Sequence, residues 1–368
     1  MRALVTGGAG FIGSHIVDEF LRQGYNVRVI DSLDPRVHPK GLPRYFPNDA
    51  EFVKGSVTER ATWEHALVDV DVISHQAAYQ DYMLDFAKFL AVNAVSTALL
   101  YEVLVERHMR PEKVIVASSQ SVYGEGQYVC SAHGHVLPKT RDQEQLLAKD
   151  WEVRCPICKE SIAPKFLEEE YTNPINQYAV SKLSGEKIAL GLGRIHEIPT
   201  VALRYSITQG PRQSLFNHYS GILRIFLSRA RARMPLVVYE DGRQTRDFVH
   251  VQDVVDANFC VLKKGSNYEA YNVGSGTAIS VLEYAELMTR TLGSETQVII
   301  PGQYRIGDNR HSVSSVEKLR KLGWCPQRLL PQILEDFLTW VDEFGGMPSN
   351  IPDAYQTMCS VGVVRAAS

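Results

Sequence analysis

The sequence predicts an α/β protein whose core is a doubly wound parallel sheet. Short apolar runs alternate with helical patterns over the first 117 residues, and the first run leads into a glycine-rich loop. Alternation at this spacing is typical of a parallel sheet covered by helices on both faces, and right-handed crossovers make it doubly wound. The chain has 368 residues, of which 45% are hydrophobic, so about two domains and a sizeable core are expected.

The elements of this region follow from the apolar pattern in chain order. The predicted strands cover residues 2–5, 25–30, 51–54, 70–74 and 113–117. Three helices are predicted: one directly after the glycine loop, a second around 58–67 and a third over 86–106. Gly24 ends the first of them. Each strand is therefore followed by a segment that can return the chain to the same edge of the sheet.

The glycine loop predicts a dinucleotide site. Gly8, Gly10 and Gly13 satisfy G-x-G-x-x-G between a strand and a helix, and Asp31 ends the next strand. Glycines let the backbone approach a pyrophosphate, and the helix N-terminus offers N–H groups and positive potential to it. A carboxylate at position 31 can accept hydrogen bonds from the adenosine ribose, which favours NAD over NADP.

Hydroxyl groups and a tyrosine–lysine pair predict acid–base chemistry. The strand 114–117 runs into Ser-Ser-Gln-Ser-Val-Tyr-Gly at 118–124, at the edge where such sheets bind ligands. Tyr178 and Lys182 are four residues apart and share a helix face. An ammonium beside a phenol favours the phenolate, which can take a proton from a sugar hydroxyl while hydride leaves the same carbon for NAD.

Together these motifs resemble the extended short-chain dehydrogenase/reductases of the nucleotide-sugar epimerase/dehydratase family. The likeness runs from residue 1 to about 342 apart from one insertion. It rests on TGGAGFIG (6–13), HQAA (75–78), Asn93, SSQSVYG (118–124), YAVSK (178–182), LRY (203–205), GPR (210–212), GRQTRDFVHVQDV (242–254), YNVG (271–274) and RIGD (305–308). The resemblance implies a Rossmann domain and a smaller C-terminal substrate domain.

The resemblance also implies residue roles. Ser119 would hydrogen-bond the reacting sugar oxygen, Tyr178 would act as acid and base, and Lys182 would hold the nicotinamide ribose. The implied cofactor residues are Gly7, Gly10, Phe11, Ile12, Gly13, Asp31, Ser56, Val57, Gln76, Ala77, Ala78, Asn93, Tyr178, Lys182 and Tyr205. The implied substrate residues are Tyr79, Ser121, Arg212, Asn217, Arg246, Arg305 and Asp308, with Gln80, Asp81 and Tyr82 as further specificity candidates. Arginine suits the diphosphate because its guanidinium matches phosphate geometry.

These roles predict an NAD-dependent nucleotide-sugar epimerase, an isomerase of the EC 5.1.3 type, acting at C4 of a dTDP- or UDP-linked (6-deoxy)hexose through a 4-keto intermediate. Gln120 and Ser121 stand where the family's 4,6-dehydratases have an acidic pair, which disfavours elimination. Two alternatives stay open: an NAD(P)H-dependent nucleotide-4-keto-sugar reductase, and a non-catalytic nucleotide-sugar or NAD sensor. Arg28 and Arg36 keep NADP open as the cofactor.

The insertion, at about 126–168, predicts a structural zinc site. Two C-x2-C/H pairs fall inside it, and Cys-Pro-x-Cys is a tight turn that presents two sulfurs to one ion. The predicted ligands are Cys130, His133, Cys155 and Cys158, with His135 as an alternative fourth ligand and free thiols as the other interpretation.

The domain organisation and the partners complete the expectations. We predict an NAD-binding domain over 1–205, a mainly substrate-binding part over 206–344 with about 246–262 returning to the first domain, and a loosely held tail over 345–368. The net charge of −3 gives no reason to expect nucleic acid as a partner. No apolar run approaches a membrane span of about 18 residues, and no signal-peptide pattern is seen, so a cytoplasmic protein is predicted. The resemblance implies a homodimer formed through helices at about 86–106 and 176–191.

Overall fold

The computed structural model describes residues 1–81, 85–217, 221–347, 353–360 and 362–367, and its largest sheet has seven parallel strands. Their order across the sheet is Glu269–Val273, Thr200–Tyr205, Lys113–Ser119, Val72–His75, Arg2–Thr6, Asn26–Asp31 and Ala50–Lys54. The order reverses direction between Arg2–Thr6 and Val72–His75, as in a doubly wound sheet. The predicted fold class is confirmed.

Helices cover both faces of this sheet because each presents an apolar stripe to it. Phe11–Arg22 and Val251–Lys264 share one face, where the rings of Phe20 and Phe259 lie 4.6 Å apart. The other face buries Trp63 and Tyr101 from the helices Arg60–Ala66 and Ser96–Glu106. The remaining helical segments are Phe86–Leu90, Ala91–Val95 (a π-helix), Gln120–Tyr123 (a 3-10 helix), Gln143–Leu147, Gln177–Ile195, Gly221–Arg231, Val281–Thr291, Glu317–Arg320, Leu330–Glu343 and Ala354–Ser360.

A second apolar cluster lies beyond the large sheet. The helices Gly221–Arg231, Val281–Thr291 and Leu330–Glu343 pack there around Phe226, Tyr284 and Phe337. The small sheets of this part pair Ile207–Gln209 with Phe248–His250, Leu236–Val237 with Val298–Ile299, and Thr245–Arg246 with both Ile279–Ser280 and His311–Ser312. The chain returns to the large sheet through the helix at 251–264 and the edge strand at 269–273. The helix falls almost entirely within the predicted return at about 246–262, and the strand lies beyond it.

Two segments outside this frame are ordered by pairing. Within the insertion, Tyr128–Cys130 pairs with Gly134–Val136 and with Ala163–Pro164 in an antiparallel sheet. In the tail, Val364–Ala366 pairs antiparallel with Gln303–Arg305. Residues 364–366 of the tail are therefore held by strand pairing, while the expectation of a loosely held tail over 345–368 stays a prediction for the rest of that segment.

One helical run in the described residues, Phe86–Glu106, is long and apolar enough by length and composition to cross a membrane. The sequence analysis expected no apolar run of that length, and this helix carries polar residues such as Lys88 and Asn93 among its apolar ones. Half of its most apolar window is buried in the protein, which is typical of a core helix.

Candidate active site

The carboxyl ends of the parallel strands open into a cavity of about 1400 Å³. This is the edge at which doubly wound sheets bind ligands. The predicted residues that line it are Gly10, Phe11, Ile12, Gln76, Ala78, Ser119, Ser121, Tyr178, Lys182, Tyr205, Arg212, Asn217, Arg246, Arg305 and Asp308. One space thus brings together the glycine loop, the tyrosine–lysine pair and the arginines, which lie up to 295 positions apart (Gly10 to Arg305).

The glycine loop is packed backbone against backbone. Gly7 has a φ of +67°, and a Cβ there would lie 2.9 Å from the Cα of Ala77. A Cβ on Gly13 would lie 2.2 Å from the carbonyl oxygen of Gly7. Neither glycine lines the cavity itself; both hold the tight turn that opens the helix Phe11–Arg22, whose N-terminus can receive a pyrophosphate.

Asp31 anchors the loops on either side of the expected ribose position. Its Oδ2 accepts a hydrogen bond from the backbone N–H of Ala9 at 3.1 Å, and its Oδ1 accepts one from Leu33 at 2.9 Å. The two arginines that kept NADP open are engaged elsewhere. Arg28 donates to backbone carbonyls and pairs with Glu51, while Arg36 pairs with Asp34 and Asp81, so both face carboxylates rather than a phosphate position.

The other predicted cofactor residues fall into two groups. The Tyr205 hydroxyl donates to the Gln76 amide oxygen at 3.1 Å, and these two residues line the cavity floor. Ala77, whose backbone N–H donates to the Thr6 hydroxyl at 3.0 Å, does not line the cavity. The residues of the second group, Ser56, Val57 and Asn93, do not line the cavity. The Ser56 hydroxyl contacts Thr58, the Val57 carbonyl accepts from Trp63, and the Asn93 amide bonds both backbone groups of Tyr79 and the hydroxyl of Ser181.

Ser119, Tyr178 and Lys182 all line the cavity. Burial raises the pKa of Tyr178, and the nearby hydroxyl of Ser119 acts in the opposite direction. The ammonium of Lys182 donates to the carbonyl of Ala117. Burial lowers the pKa of Lys182 to about 8, and the carboxylate of Glu186 acts in the opposite direction. The arrangement holds a phenol, a hydroxyl and an ammonium where a proton can be exchanged.

A buried ion pair lies directly beneath these groups. Glu186 accepts two hydrogen bonds from Arg204, at 2.6 and 2.9 Å, and a third from the hydroxyl of Ser118 at 2.7 Å. Arg204 also donates to the Tyr123 hydroxyl at 2.9 Å. The sequence analysis gave neither residue a role: Arg204 was noted only as part of the LRY motif, and the signal for Glu186 was that it follows Lys182 by one helical turn.

The predicted substrate residues form an arginine-rich wall. Arg305 and Arg246 both approach Oδ1 of Asp308, at 3.1 and 3.3 Å. Ser121 has a buried hydroxyl without a hydrogen-bond partner among the described residues, so it is available to a ligand. Arg212 pairs with Asp18 at 2.7 Å and lies over the ring of Tyr45. Asn217 lines the same cavity.

Tyr79 is the one predicted substrate residue that the structure does not bring to the cavity. Its ring lies between the cations of Arg36 and Lys88, at 4.9 and 4.5 Å, and its hydroxyl donates to Asp85 at 2.6 Å. These contacts turn the side chain toward the 34–36 loop. The neighbouring candidates Gln80 and Asp81 do line the cavity, and Tyr82 lies outside the described residues.

The insertion gathers three thiols and one imidazole. The ligand atoms of Cys130, His133, Cys155 and Cys158 all lie within 4.8 Å of one another. The Cys130 sulfur lies 3.7 Å from that of Cys158 and 3.5 Å from Nδ1 of His133. His135, the alternative fourth ligand, is outside this cluster and lies exposed on the strand Gly134–Val136.

Comparison with known proteins agrees with this geometry. A sequence model of the NAD dependent epimerase/dehydratase family matches residues 3–141 and 158–274. The chain belongs to this family. The match is interrupted at 142–157, within the predicted insertion, and the predicted family resemblance is confirmed.

Relatives of this epimerase/dehydratase chain include the dTDP-L-rhamnose 4-epimerase of Burkholderia thailandensis, which is 32% identical over 92% of this chain and 94% of its own length. Among solved structures, the UDP-glucose 4-epimerase of Thermotoga maritima with UDP-glucose has a TM-score of 0.75 and 26% identity, covering 94% of this chain and 99% of its own. The UDP-glucose 4-epimerase of Thermus thermophilus with NAD has a TM-score of 0.73 and 26% identity, covering 93% and 99%. All three are named as nucleotide-sugar 4-epimerases.

Proposed function

We propose that the protein is an NAD-dependent nucleotide-sugar 4-epimerase. The observation that carries the proposal is that Ser119, Tyr178 and Lys182 line one cavity together with the arginine wall. Binding alone needs no such acid–base pair, which argues against the non-catalytic sensor. The names of the relatives support the same reaction class.

The residues present fit NAD. The glycine loop can make its tight turn because Gly7 and Gly13 carry no Cβ, and Asp31 ends the next strand with a carboxylate that disfavours a 2′-phosphate. When bound, NAD would supply a hydride acceptor for the sugar carbon and a hydride donor for its return. The cofactor residues proposed for contact are those of the loop and the cavity floor described above.

The remaining chemistry belongs to the chain itself. Tyr178 takes the proton from the sugar hydroxyl, and Ser119 holds the same oxygen through its hydroxyl. Lys182 stabilises the phenolate of Tyr178 electrostatically, because an ammonium favours the charged form of a nearby phenol. Arg246 and Arg305 hold the diphosphate, so the sugar can present either face to the same base while its nucleotide stays bound.

The departures from other family members narrow the reaction. Gln120 and Ser121 line the cavity where an acidic pair would serve elimination, so the site lacks a second carboxyl there. Ile207 also lines the cavity and makes that wall less polar. We therefore propose a dTDP- or UDP-linked hexose as substrate, with a 6-deoxy sugar such as dTDP-L-rhamnose as the first to test.

The test incubates the protein as purified, without added cofactor, with dTDP-, UDP- and GDP-sugars and follows their anomeric protons by NMR. Interconversion of two C4 epimers is the expected result. Conversion of Tyr178 to Phe should slow the reaction by about 10²–10⁴-fold, while Tyr171→Phe, on an exposed tyrosine, should leave it unchanged. Reduction of a keto sugar only after NAD(P)H is added would assign the protein as the reductase instead.

We also propose that the insertion binds structural zinc. Tetrahedral Zn–S bonds of about 2.3 Å place two sulfurs about 3.8 Å apart, and the Cys130–Cys158 separation of 3.7 Å fits this value. About one equivalent of zinc should copurify with the protein and be lost in Cys155→Ala, whereas Cys325→Ala, on an exposed thiol outside the cluster, should keep it. Less than about half an equivalent in the wild type would refute the site.

We further propose a homodimer formed through the two long helices. Phe86, Leu90, Val95 and Val180 expose apolar side chains on them, with exposed fractions from 42% to 57%. Light scattering should give twice the chain mass of 41.3 kDa, and Val95→Glu should reduce it to one chain. Leu329→Glu, at an exposed leucine elsewhere, should not. The cytoplasmic location and the domain boundaries stay predictions.

A further inference from the structure

The insertion is joined to the arginine wall by buried ion pairs. Arg141, within the insertion, donates through Nη1 to the carboxylate of Glu240 at 2.9 Å and through Nη2 to the backbone carbonyl of Asp308 at 3.1 Å. Its side chain is 2% exposed. Because its two nitrogens reach two separate segments, this guanidinium holds both segments at a fixed separation.

A second arginine extends the contact from the other side. The Arg310 side chain is fully buried, shares the Glu240 carboxylate at 2.8 Å, and binds Glu152 of the insertion at 2.6 Å and Asp241 at 2.7 Å. Glu240 therefore joins Arg141 to Arg310. The two arginines and the three carboxylates form one connected network between the insertion and the segment 305–310.

The segment held in this way carries the proposed diphosphate site. The Arg246 guanidinium donates to the carbonyls of Asn309 and Arg310 at 2.9 and 3.0 Å, and it shares the Asp308 carboxylate with Arg305. The backbone of 308–310 thus sets where both guanidiniums lie. On its other side, that backbone is held by Arg141 and by the buried side chain of Arg310.

We propose that Arg141 is a positioning residue for nucleotide-sugar binding: through Asp308 it fixes the arginine pair that receives the diphosphate. The inference rests on the proposed function and deepens it. Two guanidiniums bind a diphosphate best when their geometry exists before the ligand arrives, because ordering them on binding costs affinity. Arg141 does not line the substrate cavity, so the insertion fixes the positions of these two guanidiniums from outside the cavity.

The test measures dTDP and UDP binding by calorimetry, together with kcat and KM for the best sugar substrate. Arg141→Met should weaken binding of both nucleotides and raise KM by about tenfold, while kcat stays within twofold and bound NAD is retained. Arg141→Lys, which keeps one charged donor, should recover part of the loss. Lys139→Met, which removes an exposed charge from the same insertion, is the matched control and should change neither constant.

Other outcomes overturn the inference. Unchanged nucleotide affinity in Arg141→Met would remove the positioning role, and a parallel loss of kcat, NAD and affinity would assign Arg141 to folding alone. If Arg141→Met does not fold, Glu152→Gln is the second variant: it keeps the shape of the side chain at 152 and removes the charge that holds Arg310. This variant should raise KM about threefold, and an unchanged KM would refute the network's role. A wild type that binds the nucleotides without epimerising them refutes the proposed function only, whereas one that binds neither nucleotide refutes both.

Discussion

The Glu186–Arg204 pair gives a prediction whose size follows from burial. The Glu186→Gln variant keeps the shape of the side chain and removes its charge, leaving the Arg204 guanidinium, 2% exposed, without a carboxylate. Removing one partner of a buried pair costs about 3–5 kcal/mol, because the other charge stays desolvated. We expect a loss of stability in this range.

The loss can be expressed as a melting temperature. An unfolding entropy of about 2.1 cal/mol/K per residue gives about 0.8 kcal/mol/K for 368 residues, so the variant should melt about 4–6 °C lower. Calorimetry with saturating NAD in both samples measures this shift. Glu64→Gln, which breaks a surface pair with Arg60, is the control and should shift the transition by about 1 °C or less. A shift that small in Glu186→Gln would refute the reasoning.

The same substitution has a second, independent readout at Lys182. The Glu186 carboxylate raises the pKa of Lys182 and so offsets part of the lowering by burial, which leaves that pKa at about 8. Removing the carboxylate lowers the pKa of Lys182 further. Since the ammonium is the active form, activity is lost as pH rises through this pKa, and the alkaline limb of kcat should move to lower pH in Glu186→Gln. An unmoved limb would separate Lys182 from Glu186.

Two further predictions concern buried groups. Burial raises the pKa of Glu125 to about 7, above its unfolded value of about 4.3, so this group makes stability fall as pH rises between these values. The Glu125→Gln variant should lack up to about 4 kcal/mol of that fall in urea unfolding. An equal dependence of stability on pH in the two proteins would refute this. A Cβ on Gly185 would lie 2.1 Å from the Asn93 carbonyl, so Gly185→Ala should cost about 1–3 kcal/mol. Gly191→Ala, with open space in the same helix, should instead add about 0.5–1 kcal/mol.

The parts of the fold that the sequence predicts are those with local signals. The strand at Arg2–Thr6, the glycine loop and the helix Phe11–Arg22 are specified within 22 residues by an apolar run, glycines and a helical stripe. Tyr178 and Lys182 could be paired because a helix places positions four apart on one face. These inferences needed no information about distant segments.

The parts that were missed depend on long-range contacts. The direction of the Tyr79 ring is set by Arg36 and Lys88, and neither contact has a signature in the letters around Tyr79. The π-helix Ala91–Val95 interrupts a run whose composition is that of an ordinary apolar α-helix, so the letters around it do not predict the interruption. It lies where Gly185 packs against Asn93. The pairing of Val364–Ala366 with Gln303–Arg305 joins segments about 60 residues apart and of unremarkable composition.

Buried charged residues are a further group that the charge composition does not predict. The 39 basic and 42 acidic residues suggest a solvated surface, yet Arg204 and Arg310 are buried against carboxylates beside the cavity. A buried pair adds little stability compared with apolar side chains of the same volume, so its value here lies in fixed geometry. Replacing both Arg204 and Glu186 by apolar residues should therefore recover most of the melting temperature lost in Glu186→Gln but not the position of the alkaline limb of kcat. Recovery of both would show that the pair serves folding rather than the placement of Ser118 and Lys182.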